Sequence, residues 1–329
     1  MQLPQDLRNA MEIVAADMTG EAGRRTAQAV SERYRDRRRQ SAEVMVGSQA
    51  QAAAYAATRM PATWAALRAC MAHVRAAMPT FAPLDLLDVG AGTGAAMWAA
   101  ADAWPELTAC RLAERSDGMV QVGQRLASQA DAAVIRDAVW LSRDLAHGLG
   151  GETADLVTAG WMLNEVGDAA LLPAVEALWA ATRAVLLIAE PGTPDGFVRL
   201  LRIRDHLLQL GAHLAGPCPH ACPCPVEAPD WCHFTERVNR SRAHRQLKGA
   251  TLAYEDEKYG WLAVSRLPVN PVPARIRRHP EVHGGFIRLS LCAVDGLRSE
   301  TVTRSDGMAW RQARSVGCGD AWPPETGQS

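Results

Sequence analysis

The chain has 329 residues, 48% of them hydrophobic and 22% charged, and a formal net charge of −1. That length can bury a sizeable core in one or two domains, and the composition is that of an ordinary globular protein. The overall charge singles out no partner, and no apolar run reaches the roughly 20 residues needed to span a bilayer.

The N-terminal stretch MQLPQDLRNAMEIVAADMTGE has no basic segment followed by an apolar one, so it does not read as a secretory signal. Its acids argue against a mitochondrial presequence. The expectation is a cytoplasmic protein in a reducing compartment, with no membrane and no DNA partner. There, eight cysteines read as thiols or metal ligands rather than disulfides.

Residues 1–80 form an N-terminal helical region in this reading. Apolar positions recur every three to four residues through Leu7, Met11, Val14, Ala15 and Met18. Ser31 is placed to cap a helix running into the arginine run RYRDRRRQ. Residues 53–78 read as a helix, a break at Pro61, and a second helix that carries Cys70 as a packed thiol.

From residue 81 strands and helices alternate, which predicts a parallel sheet. The candidate strands are 84–89, 108–113, 138–141, 156–159 and 185–188. The clearest helices are 119–129, 169–182 and one beginning at Phe197. Residues 250–266 read as two strands around a turn. Beyond a proline-rich link, residues 269–329 read as a small C-terminal β extension with a loose tail from Asp320.

Residues 215–235, AGPCPHACPCPVEAPDWCHFT, break the pattern. Five prolines and four cysteines in this stretch cannot form a regular helix or a central strand. The division expected is therefore 1–80, then 81–268 with an insert at 215–235, then 269–329.

The residues best suited to chemistry begin at LDVGAGTG, Leu87–Gly94. Gly90, Gly92 and Gly94 let the backbone pass close to a ligand at the mouth of the sheet, and the following helix offers free N–H groups. A dinucleotide fold usually carries its third glycine one residue later. Glu114, twenty residues after Gly94, ends the second strand and could meet ribose hydroxyls in either fold. Asp88 before the turn and Asp144 after the third strand favour S-adenosylmethionine (SAM). Here the chain resembles class I SAM-dependent methyltransferases, whose first motif is D-x-G-x-G-x-G. That resemblance implies a Rossmann-like α/β fold. It sets Asp88, Gly90, Gly92 and Gly94 against the methionine part, Glu114 against the ribose and Asp144 near the adenine amine.

After the fourth strand the chain reads TAGWMLNEVG, with Asn164 and Glu165 but no Asn/Asp-Pro-Pro-aromatic element. Cys110 lies on the second strand in a core position, and no pair of catalytic cysteines is evident. The cofactor pocket permits methyl transfer without naming a catalytic residue, so enzymatic activity stays open.

Cys218, Cys224 and Cys232 are separated by five and seven residues, Cys222 intervenes, and Cys292 lies far downstream. Thiolates suit zinc or iron–sulfur clusters. The usual zinc knuckle is not cleanly present. His220 and His233 are alternative ligands or surface residues, and four structural free thiols are the plain alternative.

The chain also resembles the methyltransferase-like family of mitochondrial small-ribosomal-subunit assembly proteins and their bacterial relatives. The resemblance runs through AYAATRMPATWAA, LLDVGAGTGAAMWAA, LLIAEPGTPDGF, CPHACPCP, DWCHF, KYGWLAVSR and RLSLCAVDG. It implies a 4Fe–4S cluster held by Cys218, Cys224, Cys232 and Cys292, with Cys222 an extra thiol. It also implies SAM as a second cofactor and the small subunit, with its 16S-type rRNA, as partner. The alternatives are an active rRNA methyltransferase and a small-molecule methyltransferase with a structural zinc.

Charge distribution offers candidate phosphate-binding faces. Residues 236–290 hold eleven Lys/Arg against five Asp/Glu, and 21–40 hold seven Arg against three acids. A general preference for Arg over Lys explains the same counts equally well.

Overall fold

The computed structural model describes residues 2–16, 18, 20–35, 46 and 48–324. The chain divides into two compact units. The first comprises residues 1–72, 81–189 and 236–257, and the second 73–80, 190–235 and 258–329.

In the first unit, α1 (Gln5–Ala16), α2 (Gly20–Arg35), α3 (Gln49–Thr58) and α4 (Met60–Ala77) open the chain. Alanine dominates α3, and six of its ten residues are buried. Small side chains let neighbouring helices approach its axis closely. The break between α3 and α4 falls at Arg59, just before Pro61. Proline fits the first turn of α4 because its missing N–H would have no partner there.

The sheet follows as β1 (Asp85–Val89), α5 (Ala95–Ala103), β2 (Ala109–Glu114), α6 (Asp117–Ala127), α7 (Ala133–Arg136), β3 (Val139–Ser142), β4 (Ala154–Gly160), α8 (Asp168–Ala181) and β5 (Thr182–Pro191). All four pairings are parallel, in the order β3-β2-β1-β4-β5. Leu86, Leu87, Leu156, Val157 and residues 185–189 are essentially inaccessible. Such near-continuous apolar strands are the mark of a parallel sheet covered on both faces. The order reverses at β1, which has β2 on one side and β4 on the other. In doubly wound α/β folds the crevice at the carboxyl ends of such strands is where ligands bind.

The chain continues through α9 (Pro194–Gln209), β6 (His213–Gly216), β7 (Phe234–Asn239), α10 (Arg242–Lys248) and β8 (Tyr254–Ser265). Helix α10 closes the first unit and packs on α2 and α3. In the second unit β6 runs antiparallel to β8. The remaining strands are β9 (Ala274–Ile276), β10 (Glu281–Val282), β11 (Phe286–Ala293), β12 (Gly296–Thr303) and β13 (Ala321–Trp322), with α11 (Met308–Ala313) before the last. They form a separate antiparallel sheet, in which β11 pairs with β9, β10 and β12. Ile276, Ile287, Leu289, Leu291, Val302 and Trp322 make its core.

Three sequence expectations are corrected. Position 31 lies inside α2, which runs unbroken to Arg35, so no helix begins there. Residues 254–265 form one twelve-residue strand rather than two strands around a turn. The part after Lys258 is continuously buried, and a chain buried on both faces has no reason to turn out to solvent. The tail is fixed as far as Trp322, which pairs through β13 with β9 and is 3% exposed. Arg37, Arg38 and Arg39 of the predicted arginine run lie outside the described residues. Among the described residues no helix is long and apolar enough to cross a membrane.

Candidate functional sites

In the first unit a cavity of about 730 Å³ opens at the carboxyl ends of β1, β2 and β4. That size is in the range of small-molecule sites. Its wall includes Val89, Gly90 and Gly92 from the turn after β1, and Glu114, Arg115 and Ser116 from the end of β2. Arg143 and Asp144 come from the end of β3, and Gly160, Trp161, Met162 and Glu165 from the end of β4.

The glycine turn requires glycine for two separate reasons. Gly90 has φ +67°, and a Cβ there would sit 2.6 Å from the Met162 Cβ. Gly92 has φ +55° with its nearest neighbour 4.0 Å from such a Cβ, so its constraint is the backbone alone. Gly94, at φ +88°, is the residue before α5 and does not line the cavity.

Glu114 ties the turn to β2. Its carboxylate accepts the Gly92 N–H at 2.8 Å through one oxygen and the Ser116 N–H at 2.8 Å through the other. Burial raises its pKa, and those backbone donors oppose the rise. Each oxygen keeps a lone pair for a further donor, such as a hydroxyl. Asp88 is placed differently. It is 2% exposed, lies behind the turn without lining the cavity, and accepts the Thr158 hydroxyl at 2.7 Å. Its second oxygen has no hydrogen-bond partner, and burial pushes its pKa up to about 7.

Asp144 lies on the wall, where it caps a short turn through the Ala146 N–H at 2.9 Å. Arg115 stands between Asp144 at 3.6 Å and Glu165 at 3.2 Å. Burial pushes Glu165 up to about 7 despite that guanidinium. Trp161 has φ +56°, costly for a bulky residue, and its N–H bonds the Ala189 carbonyl at 2.7 Å. Arg115, Arg143 and Trp161 were not singled out from the sequence. The signal available for Arg115 was its place directly after the strand-ending acid; for Trp161 there was none.

A second cavity, about 60 Å³ and wholly within the second unit, is lined by Cys218, Cys224, Cys232 and Cys292. Arg204 of α9 and Arg275 and Arg277 of β9 and its continuation share the wall, as do Phe197, Phe234 and Trp261. Cys222 is exposed and absent from the lining. The structure thus brings together the three insert thiols without Cys222 and the one on β11. Burial raises the pKa of Cys218, takes Cys232 to about 12 and Cys292 to about 11. His220 reaches the Cys292 sulfur with Nε2 at 3.7 Å. His233 stacks on Trp231 and is not on the cavity wall. Cys70 and Cys110 are buried core thiols, as their positions suggested.

Among the described residues no three His, Cys, Asp or Glu side chains are arranged to hold a single metal ion. A zinc ion needs its thiolates at about 2.3 Å. A polynuclear cluster spreads its ligands over several irons, so four thiols around a shared cavity suit it better. The neighbouring guanidiniums suit an anionic occupant. The donor chemistry therefore fits an iron–sulfur group.

The basic stretch 236–290 does not form one open face. Arg237 pairs with Asp256, while Arg240 and Lys248 share Glu255. Arg275 and Arg277 are each 5% exposed. Arg242 and Arg245 of α10 are exposed. Alternation of acids and bases in β7 and β8 thus absorbs much of the charge that counting assigned to phosphates.

The family model for the mitochondrial small ribosomal subunit protein Rsm22 matches residues 49–323. This chain belongs to the Rsm22 family. The match takes in both the glycine turn and all four cavity thiols. Among curated proteins, this Rsm22 family member is 27% identical over 308 residues to the human mitochondrial ribosome assembly protein METTL17, covering 83% of this chain and 64% of that one. It is 23% identical over 223 residues to a fission-yeast (Schizosaccharomyces pombe) mitochondrial Rsm22-cox11 tandem protein, covering 52% of this chain and 29% of the other. The chain spans less than two thirds of the length of these relatives. Among solved structures it is similar to the SAH-bound magnesium protoporphyrin IX methyltransferase of Synechocystis at a TM-score of 0.41 and 16% identity, covering 62% of this chain and 83% of that one. It is also similar to a precorrin-6y methyltransferase of Geobacter metallireducens at 0.39 and 14%, covering 60% and 85%.

Proposed function

We propose that this protein is a small-ribosomal-subunit assembly factor that binds SAM in the first unit and a 4Fe–4S cluster in the second. Family membership over residues 49–323 is the observation that carries the assembly role. The SAM reading is supported by the glycine turn and by Glu114 on the wall of a cavity at the sheet's switch point. In it, Glu114 takes the ribose hydroxyls, Gly90 and Gly92 admit the methionine part, and Asp144 faces the adenine. Asp88 and Gly94 hold the turn from behind.

Cys218, Cys224, Cys232 and Cys292 are the proposed cluster ligands. Three come from one proline-stiffened loop and one from β11, so the cluster would fasten the loop to the small sheet. Thiols with raised pKa release their protons as metal binds, which makes loading pH-dependent. The proposed RNA contacts are the exposed Arg242 and Arg245 together with the arginine run near Arg37. The proposed place of work is the cytoplasm.

An active rRNA methyltransferase is the second reading. Glu165 favours it, as a cavity-lining carboxylate that could take a proton from a substrate near pH 7. The two are separated by deleting the gene. The assembly role predicts a shortage of mature small subunits that is restored by a Gly92→Arg protein. A methyltransferase predicts one missing rRNA methyl group that Gly92→Arg does not restore. Normal small-subunit levels in the deletion strain would overturn the assembly role.

A further inference from the structure

The thiol cavity is walled by three buried guanidiniums whose carboxylate counter-charges lie partly exposed. Arg204 is 2% exposed, and Arg275 and Arg277 are each 5% exposed. Their hydrogen bonds go largely to neutral carbonyls. Arg204 donates to the His220 oxygen at 2.9 Å and the Cys222 oxygen at 2.7 Å, and Arg275 donates to the Pro217 and Gly319 oxygens, both at 2.9 Å.

Three carboxylates face the three guanidiniums, and none of them is buried: Asp320, half-buried, acts on Arg275 by charge. Asp205 pairs with Arg204 at 2.6 Å, but its side chain is 60% exposed. Asp230 pairs with Arg277 at 2.7 Å, and is itself 46% exposed and shared with Arg278. The Nε–H groups of Arg204 and Arg277 have no hydrogen-bond partner although both are buried. Buried charge without a close counter-charge is costly, and a buried donor left unpaired adds to the cost. Burial indeed lowers even the Arg275 pKa to about 10. With four neutral thiols the buried guanidiniums have no anion on the cavity side. Four thiolates around an oxidised 4Fe–4S core would carry a net charge of about −2, an anion inside the ring of guanidiniums.

We infer that Arg204, Arg275 and Arg277 form a cationic cage that holds the cluster's negative charge and raises its reduction potential. The inference rests on the proposal that the four thiols carry a 4Fe–4S cluster. Net charge and hydrogen bonding to sulfur are among the levers that set such potentials. A cluster ligated by four thiolates gains one negative charge when it takes up one electron. Nearby guanidiniums stabilise the reduced form more than the oxidised form. The arginines are positioning residues: none of them replaces a thiolate as ligand.

The test is a dithionite titration of the anaerobically reconstituted full chain, followed by electron paramagnetic resonance and iron analysis. Dithionite supplies the electron, and the cluster is reduced without any bond to the protein changing. Arg277→Gln and Arg204→Gln are expected to keep the cluster and to shift its midpoint potential to more negative values. Arg277→Lys, which keeps the charge, is expected to stay near wild type. Asp230→Asn removes part of the counter-charge at the half-exposed rim and is expected to shift the midpoint the opposite way, even if the glutamine variants fail to fold. A loaded wild-type protein whose midpoint is unchanged in the charge variants overturns the cage alone. Wild-type protein that binds no iron overturns the cluster reading, and the cage with it.

Discussion

Glu114 accepts the Gly92 N–H at 2.8 Å, so the acid that ends β2 is latched to the middle of the glycine turn. This latch fixes the turn before any ligand arrives, and the cavity is largely formed in advance. Replacing Glu114 with Gln leaves an amide N–H₂ facing either Gly92 or Ser116 in place of an oxygen. A charge-assisted hydrogen bond is worth about 1.5–3 kcal/mol, so SAM affinity should fall by about 10- to 100-fold. Calorimetry with S-adenosylhomocysteine reads this directly; an unchanged dissociation constant would remove Glu114 from the site.

The two glycines of the turn should differ in sensitivity. Gly90→Ala meets the Met162 Cβ at 2.6 Å and adds strain at φ +67°, whereas Gly92→Ala adds strain alone. A left-handed non-glycine residue costs about 1–3 kcal/mol, and the clash at Gly90 adds to that. Urea denaturation should rank Gly90→Ala below Gly92→Ala in stability, and the reverse order would refute the packing described at Met162.

Stability should carry the imprint of Asp88. Its folded pKa of about 7 lies above its ordinary 3.8, so the folded state holds this proton more tightly than the unfolded chain. Between about pH 4 and pH 7 the folded state therefore binds more protons, and this contribution to stability falls as pH rises, then levels off. Glu165, also raised to about 7, acts in the same sense. His73 acts in the opposite sense, because burial lowers its pKa to about 3. Comparison with Asp88→Asn isolates the carboxyl. The variant should gain on the order of 2–4 kcal/mol relative to wild type between pH 5 and pH 8. A constant difference across that range would contradict a proton held on Asp88.

The parallel sheet was legible because β5 carries a continuous apolar run from 184 to 189, β1 and β4 have apolar centres at Leu86–Leu87 and Leu156–Val157, and each ends near a glycine or an acid. Residues 250–266 were misread for the opposite reason. The acid–base cluster Glu255–Lys258 looks like a turn in sequence, yet Glu255 is covered by Arg240, His244 and Lys248 within the fold. Of the cavity in the first unit, Gly90, Gly92 and Glu114 could be read from spacing. Arg115 and Trp161 could not, since their roles come from tertiary approach and backbone strain. Of the three arginines around the thiols, Arg275 and Arg277 fell in the stretch counted as a phosphate-binding face and Arg204 in neither counted stretch, because sequence does not reveal burial.

Cys222 and Cys224 provide a sharp contrast only two residues apart. Cys222 is exposed, and Cys224 lines the cavity with Cys218, Cys232 and Cys292. Cys222→Ser should leave unchanged the brown colour and the absorbance at roughly 400 nm expected of thiolate-held iron, while Cys224→Ser and Cys292→Ser should each reduce iron content. Loss of iron in Cys222→Ser alone would move the ligand assignment, and colourless wild-type protein with stoichiometric zinc would replace the cluster.

The assembly role is tested most directly by sedimenting the tagged full chain from cell extract through a sucrose gradient at moderate salt. The expected result is co-migration with small-subunit particles, enriched in immature ones and weakened in Arg242→Glu/Arg245→Glu protein. A chain that stays at the top of the gradient, with small-subunit particles present and intact, would contradict it.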